Sequence, residues 1–351
     1  MKKTFVLLFT VIAALALAIT PAFGQDDPGT IADIVVASAS AETPEFATLL
    51  AAVSAADPAV LEALSNPEAS LTVFAPTDAA FAALAEALGA DAFAAVLADP
   101  AALTDILLFH VVEGNVMAAD VAGLFSDTVT RASVPSLNGQ YIDLTLDMGN
   151  IYVNGANLIA TDVMASNGVI HVIDAVILPE TRTIAELVVE LAGSEAPEFS
   201  TLLAAVSAAD PAVLEALSNP DAELTVFAPT DAAFAALAEA LGEEAFNGVL
   251  ADTAALSNIL LYHVVPGLVY SSDLVAELTM GAMEGMEQPA WLASYNEDGS
   301  ISVTTAAGAT ATISVREEGV FINDAQIVLT DVDAVNGVIH VISAVILPPS
   351  E

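Results

Sequence analysis

The sequence predicts an α+β protein of two tandem domains, and three observations carry that expectation. Its 351 residues are 56% hydrophobic and only 15% charged, which is enough apolar material for two cores and too much for a disordered chain. The chain repeats itself at a period of domain size. Within each copy, helix signals fill the first half and strand signals mainly the second, the order of an α+β unit.

The N-terminus reads as a secretory signal. Lys2 and Lys3 form the positive region, Phe5 to Ile19 the apolar stretch, and Ala22-Phe23-Gly24 a small-residue exit. Cleavage is therefore expected before Gln25, which sets residues 1–24 aside as a signal peptide. An uncleaved anchor is the alternative, but the apolar stretch is short for a membrane span. The chain has no cysteine. An exported protein without disulfides must hold each domain by packing alone.

The repeat sets the domain boundaries. Pro44–Gly89 recurs 153 residues later as Pro197–Gly242, with only Ala47/Ser200, Glu68/Asp221 and Ser70/Glu223 differing. At the same spacing Thr30–Val36 aligns with Thr183–Val189, and Leu107–Val112 with Leu260–Val265. Near the ends, Asn154–Pro179 matches Asn323–Pro348 at a spacing of 169, so the second copy holds about 16 extra residues between Val269 and Val320. Such a period is a domain duplication, since solenoid repeats run roughly 20–50 residues. The expected domains are 28–179 and 180–349, the second with an insertion over about 270–319.

Local signals then give the elements in order. Thr43-Pro44 predicts a helix start, with Phe46, Leu49, Leu50 and Val53 along one face. Asp57-Pro58, Asp99-Pro100 and Asp210-Pro211 repeat that signal. Leu71–Ala75 is a β-prone run stopped by Pro76. Thr77 caps a helix over Asp78–Leu88, with Phe81, Leu84 and Leu88 on one face and Gly89 as its end. Tyr141–Met148 alternates, with Ile142, Leu144, Leu146 and Met148 on one side and Asp143, Thr145 and Asp147 on the other, as in a half-buried strand. Gly149-Asn150 reads as a turn into Ile151–Asn154. Val169–Leu178 reads as a central strand that carries His171.

Three ordered motifs, each found twice, resemble the fasciclin (FAS1) domain family. The first is Thr72-Val-Phe-Ala-Pro-Thr-Asp-Ala-Ala-Phe81, which returns as Thr225 to Phe234. The second is a central tyrosine–histidine pair, here Phe109-His110 and Tyr262-His263. The third is Asn167-Gly-Val-Ile-His-Val-Ile-Asp-Ala-Val-Ile-Leu-Pro179, which returns as Asn336 to Pro348. The resemblance covers nearly the whole mature chain. It implies two FAS1-like domains, each a wedge of β-strands packed with several α-helices. It also implies an extracellular role in cell–cell or cell–matrix adhesion, with some members binding carbohydrate or protein and a minority binding carotenoids. One departure stands out: Phe109 lacks the hydroxyl that the family's tyrosine supplies, so any contact that needs it exists only in the second copy.

The motif residues Thr72, Phe74, Pro76, Asp78, Asn167 and His171, with Thr225, Phe227, Pro229, Asp231, Asn336 and His340, are read as structural. Asp78 and Asp231 follow the presumed helix caps and are expected to stabilise the first turn through the helix dipole. Asn154 and Asn323 are expected to bond backbone in turns. All four histidines, His110, His171, His263 and His340, lie in motifs. Core histidines bonded to backbone are the plainer reading, and a binding surface at the two aromatic–histidine pairs is the alternative. In the insertion, Met280, Met283 and Met286 beside Glu284 and Glu287 have soft-ligand character, against an apolar flap as the plainer reading. Trp291 and Tyr295 are either an exposed partner-binding pair or the residues that pack the flap down. Asn296–Ser300 has a hairpin signal and lacks the full ligand spacing of a calcium loop.

Charge narrows the function. The chain has 46 Asp and Glu against 5 Lys and Arg, and loss of Lys2 and Lys3 moves its net charge from −41 to −43. Nucleic acid and anionic membranes are excluded as partners by that balance. Such a surface repels itself less as salt screens it, so a rise in stability with salt or with bound cations is expected, with plain solubility of an Ala-rich surface as the alternative. No nucleophile elbow, phosphate loop, dinucleotide fingerprint or metal motif occurs. Taken with the adhesion role that the resemblance implies, the expected function is a secreted, extracellular or periplasmic, non-enzymatic protein of adhesion or matrix interaction, with no cofactor and no metal. Its expected partners are extracellular protein or carbohydrate, with no membrane span once the signal is cleaved. A carrier of a small apolar ligand such as a carotenoid is the alternative, and cation-dependent self-association is a third expectation.

Overall fold

The computed structural model describes residues 28–125, 131–194, 198–280, 289–316 and 318–349. The expected signal segment, 1–24, lies outside them, as do Met283, Glu284, Met286 and Glu287. The chain divides into two compact units, the first ending at Leu178 and the second beginning at Pro179. In the first, α1 (Ile31–Ala39), α2 (Ala47–Ala55), α3 (Pro58–Ser65), β1 (Leu71–Pro76), α4 (Asp78–Leu88), α5 (Ala90–Leu97), α6 (Pro100–Phe109), β2 (Val111–Glu113) and α7 (Ala118–Gly123) precede a run of strands. Those strands are β3 (Arg131–Pro135), β4 (Tyr141–Asp147), β5 (Asn150–Val153), β6 (Ala156–Ala165) and β7 (Gly168–Ile173).

The second unit repeats this order. Its helical half holds α8 (Ile184–Ala192), α9 (Ser200–Ala208), α10 (Pro211–Ser218), β8 (Leu224–Pro229), α11 (Asp231–Leu241), α12 (Glu243–Ala251), α13 (Thr253–Tyr262), β9 (Val264–Pro266) and α14 (Ser271–Met280). Its strands are β10 (Leu292–Tyr295), β11 (Ile301–Thr304), β12 (Thr310–Arg316), β13 (Gly319–Ile322), β14 (Ala325–Ala334) and β15 (Gly337–Ile342).

The Asp-Pro signals work as read. Asp57 accepts the Ala59 N–H at the start of α3, and Asp99 accepts those of Ala101 and Ala102 at the start of α6. Proline follows at a position that needs no N–H. Thr77 caps α4 through the Ala80 N–H. The Thr43-Pro44 expectation is corrected. Helix α2 begins at Ala47 behind Phe46, which gives it no side-chain cap. Its missing cap comes from Asp78, far along the chain.

In the first unit the strand order is β2-β1-β7-β6-β5-β4-β3, and β1 and β7 run parallel next to the short edge strand β2. Both are buried along their whole length. Val73, Ala75, Ile170 and Val172 face a core shared with the helices, while Phe74 and Ile173 face a second core enclosed by the other strands. Two-sided burial explains why these segments read as continuous apolar runs. The second unit has the same two cores.

Three strand expectations shift by a few residues. The strand β7 stops at Ile173, so residues 174–178 continue the chain outside it. The turn after β4 is Met148-Gly149, one residue early; Met148 is 94% exposed at φ 48° and sits on no core face. Asn154 and Asn323 meet the expectation: each takes a left-handed turn and accepts a backbone N–H, from Asp143 and Thr312. The extra length of the second unit makes α14 four residues longer than α7 and adds β10 at the sheet edge beyond β11.

Candidate functional site

The motif side chains meet where the helical half joins the sheet. Thr72, on β1, donates to the Gly114 carbonyl at 2.7 Å and accepts the Val116 N–H at 2.8 Å. Thr225 holds Gly267 and Val269 in the same way, at 2.8 and 2.9 Å. Each threonine thus ties the loop after the short edge strand to the buried strand beside it. Pro76 and Pro229 end their strands, and the next residue caps a helix.

Asn167 closes three segments at once. Its Oδ1 accepts the Ile31 N–H at 2.8 Å, capping α1, and its Nδ2 donates to Leu64 and Asn66 carbonyls, both at 2.9 Å, at the end of α3. Asn336 repeats this with Ile184, Leu217 and Asn219. The following glycine is required by contact: a Cβ on Gly168 would lie 2.1 Å from the Leu71 carbonyl oxygen, and one on Gly337 would lie 2.0 Å from that of Leu224. Asn-Gly in this motif is therefore a capping amide followed by a close backbone approach.

The histidines are buried and bonded to backbone. His110 Nδ1 donates to the Ile106 carbonyl at 2.7 Å while Nε2 accepts the Ile177 N–H at 3.2 Å. His263 does the same with Ile259 and Ile346. One nitrogen donates and the other accepts, so the neutral ring is the form that fits. Burial pushes both rings down to about 4. His171 and His340 use the opposite tautomer. Their Nε2 atoms donate to Val116 and Val269, and their Nδ1 atoms accept from the N–H groups of Asp162 and Asp331. Burial also lowers His171. Phe74 and Phe227 lie against these two rings, with centroids 5.7 and 5.4 Å apart.

The acidic residue after each helix cap does more than favour its own helix. Asp78 accepts the N–H groups of Ala47 and Thr48 at 3.2 and 2.7 Å, and Asp231 those of Ser200 and Thr201 at the same distances. Desolvation opposes it, yet the bonds from Thr201 and Ser200 hold the Asp231 carboxyl below its ordinary value.

Sequence reasoning missed Asp162 and Asp331. Both take left-handed backbone conformations inside β6 and β14, where the pairing register shifts. From there they accept the first N–H of α7 and α14, at Ala118 and Ser271. The local signal was a Thr-Asp step repeated inside both strands, at 161–162 and 330–331, where the pairing breaks as at a bulge.

The aromatic candidates are enclosed. Phe109, His110, Tyr262 and His263 are buried, so none presents a surface to a partner. The Tyr262 hydroxyl donates to the Thr310 carbonyl at 2.9 Å and accepts from Asn323 Nδ2 at 3.1 Å. An exposed Trp291–Tyr295 pair is not what the insertion builds. Pairing of β10 with β11 lays Trp291, 7% exposed, into the strand-side core against Gly267. Tyr295 is half-buried and donates to Glu277.

Among the described residues, no group of three or more His, Asp or Glu is arranged to hold a metal ion, and no single helix is long and apolar enough to cross a membrane. The described residues form several concave features, among them an open one of about 940 Å³ in the first unit beside Asp57 and Pro100, and two in the second unit bear on ligand binding. One is an apolar groove of about 470 Å³ lined by Val188, Leu191, Phe199, Val328, Leu329 and Val332. The other is a polar cavity of about 550 Å³ beside β12.

Comparison with known proteins fits this architecture. Protein sll1483 of Synechocystis sp. is 45% identical over 146 residues, covering 42% of this chain and 73% of that protein. Transforming growth factor-beta-induced protein ig-h3 of Sus scrofa is 29% identical over 284 residues, covering 80% of this chain and 35% of its own length. A solved FAS1 domain pair from the insect cell adhesion molecule fasciclin I covers 89% of this chain and 98% of its own at 20% identity, with a TM-score of 0.37. The family model of the fasciclin domain matches twice, over residues 44–179 and 197–348. The chain therefore belongs to the fasciclin family and is built of two fasciclin domains.

Proposed function

We propose that this protein is exported and works by binding extracellular protein or carbohydrate, in adhesion or matrix interaction, rather than by catalysis. The observation that carries this reading is the duplication of an intact fasciclin domain whose motif residues are all consumed in holding it together. Thr72, Asp78, Asn167 and His171 each satisfy backbone groups from distant segments. Two such self-supporting domains in one chain favour multivalent binding. The test is saturable binding of the mature chain to immobilised matrix proteins and glycans. Absence of any saturable binding contradicts the reading.

A second reading, carriage of a small apolar molecule, is favoured by the apolar groove of about 470 Å³ in the second domain, a volume within the roughly 300–1,000 Å³ of ligand sites. Absorbance above about 400 nm in the purified protein would support a conjugated ligand there. A colourless protein that binds no apolar probe leaves adhesion as the reading. Cation-mediated self-association follows from the acidic surface, and light scattering with and without millimolar calcium tests it; an unchanged size removes it.

A further inference from the structure

Ser300 and Thr312 stand 169 residues after Arg131 and Asp143. Strand register gives the same equivalence. Arg131 faces Thr145 across β3 and β4, and Ile301 faces Ile313 across β11 and β12, which sets Ser300 beside Ser314. In the first domain Arg131 Nε donates to Asp143 Oδ1 at 2.7 Å, and this ion pair occupies the outer face of the strands. In the second domain two short hydroxyl side chains take its place. A cavity of about 550 Å³ opens there, lined by Asp298, Ser300, Thr312, Ser314 and Arg316 among others.

Arg316 is a second exchange, standing where the first domain has Asp147. Thr312, Ser314 and Arg316 alternate along β12 and so share one face, opposite the fully buried Ala311 and Ile313. The guanidinium is fixed in place. Its Nη2 donates to the Asn323 carbonyl at 2.7 Å, and its carbon lies 4.4 Å from the centre of the Phe321 ring. Arg131 and Arg182 are held by close carboxylates, whereas the one acid within ion-pair reach of Arg316 among the described residues is the fully exposed Asp324, at 3.5 Å. Asp298 enters from the turn between β10 and β11. Its Oδ1 accepts the Ser300 N–H and hydroxyl at 3.0 and 2.6 Å, which leaves Oδ2 for a ligand.

The Ser300 hydroxyl is engaged, donating to Asp298 and accepting from Asn296 Nδ2 at 2.9 Å, so the face offers the Thr312 and Ser314 hydroxyls between the Arg316 donor and the Asp298 acceptor. It matches vicinal hydroxyl groups, each able to donate and accept. Charge decides against ions. Two carboxylates against one guanidinium, on a chain of net charge −41, repel an anion, and a cation meets Arg316. We infer that this cavity binds a neutral saccharide and is the recognition site of the second domain. The inference deepens the adhesion reading and rests on it.

The test is titration calorimetry of the mature chain, residues 25–351, with maltotriose, mannotriose and N-acetyllactosamine, and with uronate-containing oligosaccharides as a separate arm. Binding of a neutral glycan is expected. It should weaken at least tenfold in Arg316→Ala and in the double variant Ser300→Arg/Thr312→Asp, which rebuilds the first domain's ion pair. Unchanged melting of both variants guards against misfolding. Equal binding by the variants, binding of uronates alone, or no glycan binding overturns the inference. If no glycan binds but the chain still binds immobilised matrix, the site assignment fails and the adhesion reading stands. If neither occurs, both fail.

Discussion

Asp78 caps a helix that begins 31 residues before it: its Oδ1 accepts the Thr48 N–H at 2.7 Å. The Asp78 N–H in turn donates to the Glu45 carbonyl at 2.9 Å. The start of α2 is thus secured by the start of α4, although α2 has no cap of its own. Asp78→Ala should cost about 1–2 kcal/mol, the range for a lost N-cap. Asp78→Asn, which keeps an acceptor, should cost less than half of that. Urea denaturation of both variants checks this. Equal, small losses would mean that the carboxylate serves only the dipole of α4.

Gly168 and Asn167 make a sharper case. A methyl group at 168 would meet the Leu71 carbonyl at 2.1 Å, and that carbonyl is backbone of a buried strand residue that cannot swing aside as a side chain can. Gly168→Ala should therefore cost about 3 kcal/mol or more, at the upper end of overpacking. Asn167→Ala strands one N–H and two carbonyls and should cost a similar amount, about 3 kcal/mol. A cost below about 1 kcal/mol for either would contradict the contact geometry.

The two domains offer a matched pair at Phe109 and Tyr262. Tyr262→Phe removes a hydroxyl that serves both Thr310 and Asn323, and should destabilise by about 1–2 kcal/mol. Phe109→Tyr places the same hydroxyl between Tyr141 and Asn154, the equivalent residues, and should be neutral or stabilising by up to about 1 kcal/mol. Thermal melting of the two variants compares them directly. A destabilised Phe109→Tyr would mean that the first domain has closed over the missing hydroxyl.

Acid should unfold this protein partly through its histidines. His110 and His263 are held near 4 by burial, against 6.5 when free. Between those values the unfolded chain binds more protons than the folded one, so stability falls as pH drops from about 6.5 to about 4. The contribution is complete above 6.5, and its loss amounts to about 3 kcal/mol per histidine. Asp273 acts in the opposite sense. Burial, with Asp331 and Glu277 nearby, raises its folded value, so its cost disappears as pH falls. Chemical denaturation at pH 7.5, 5.5 and 4 should give a falling series. His263→Gln should remove about half of the histidine-driven fall, since His110 remains. A flat wild-type series would refute the buried neutral histidines.

What the sequence made legible was whatever depends on neighbours along the chain. The Asp57-Pro58 and Asp99-Pro100 starts, the Thr77 cap and the buried runs of β1 and β7 all rest on local spacing. What it hid depends on distant partners. Helix α2 was misplaced because its capping group is Asp78. Met148 looked like a strand residue because alternation continues one step into the turn. Asp162 and Asp331 were invisible as caps, since the helices they serve lie some 44 and 60 residues away. Trp291 kept two readings, exposed pair or flap packing, because nothing in its own segment announces that β10 will pair with β11. The cavity beside β12 was equally hidden, although the exchange of Arg131 and Asp143 for Ser300 and Thr312 was present in the repeat from the start.

The central claim is that two fasciclin domains, held rigid by their motifs, act by binding outside the cell. Biosensor titration of the mature chain over immobilised matrix proteins and neutral glycans tests it most directly. The account predicts saturable binding by wild type that persists in Tyr262→Phe, whose side chain is buried. No saturable binding to any surface, or binding abolished by Tyr262→Phe in a protein that remains folded, would contradict it.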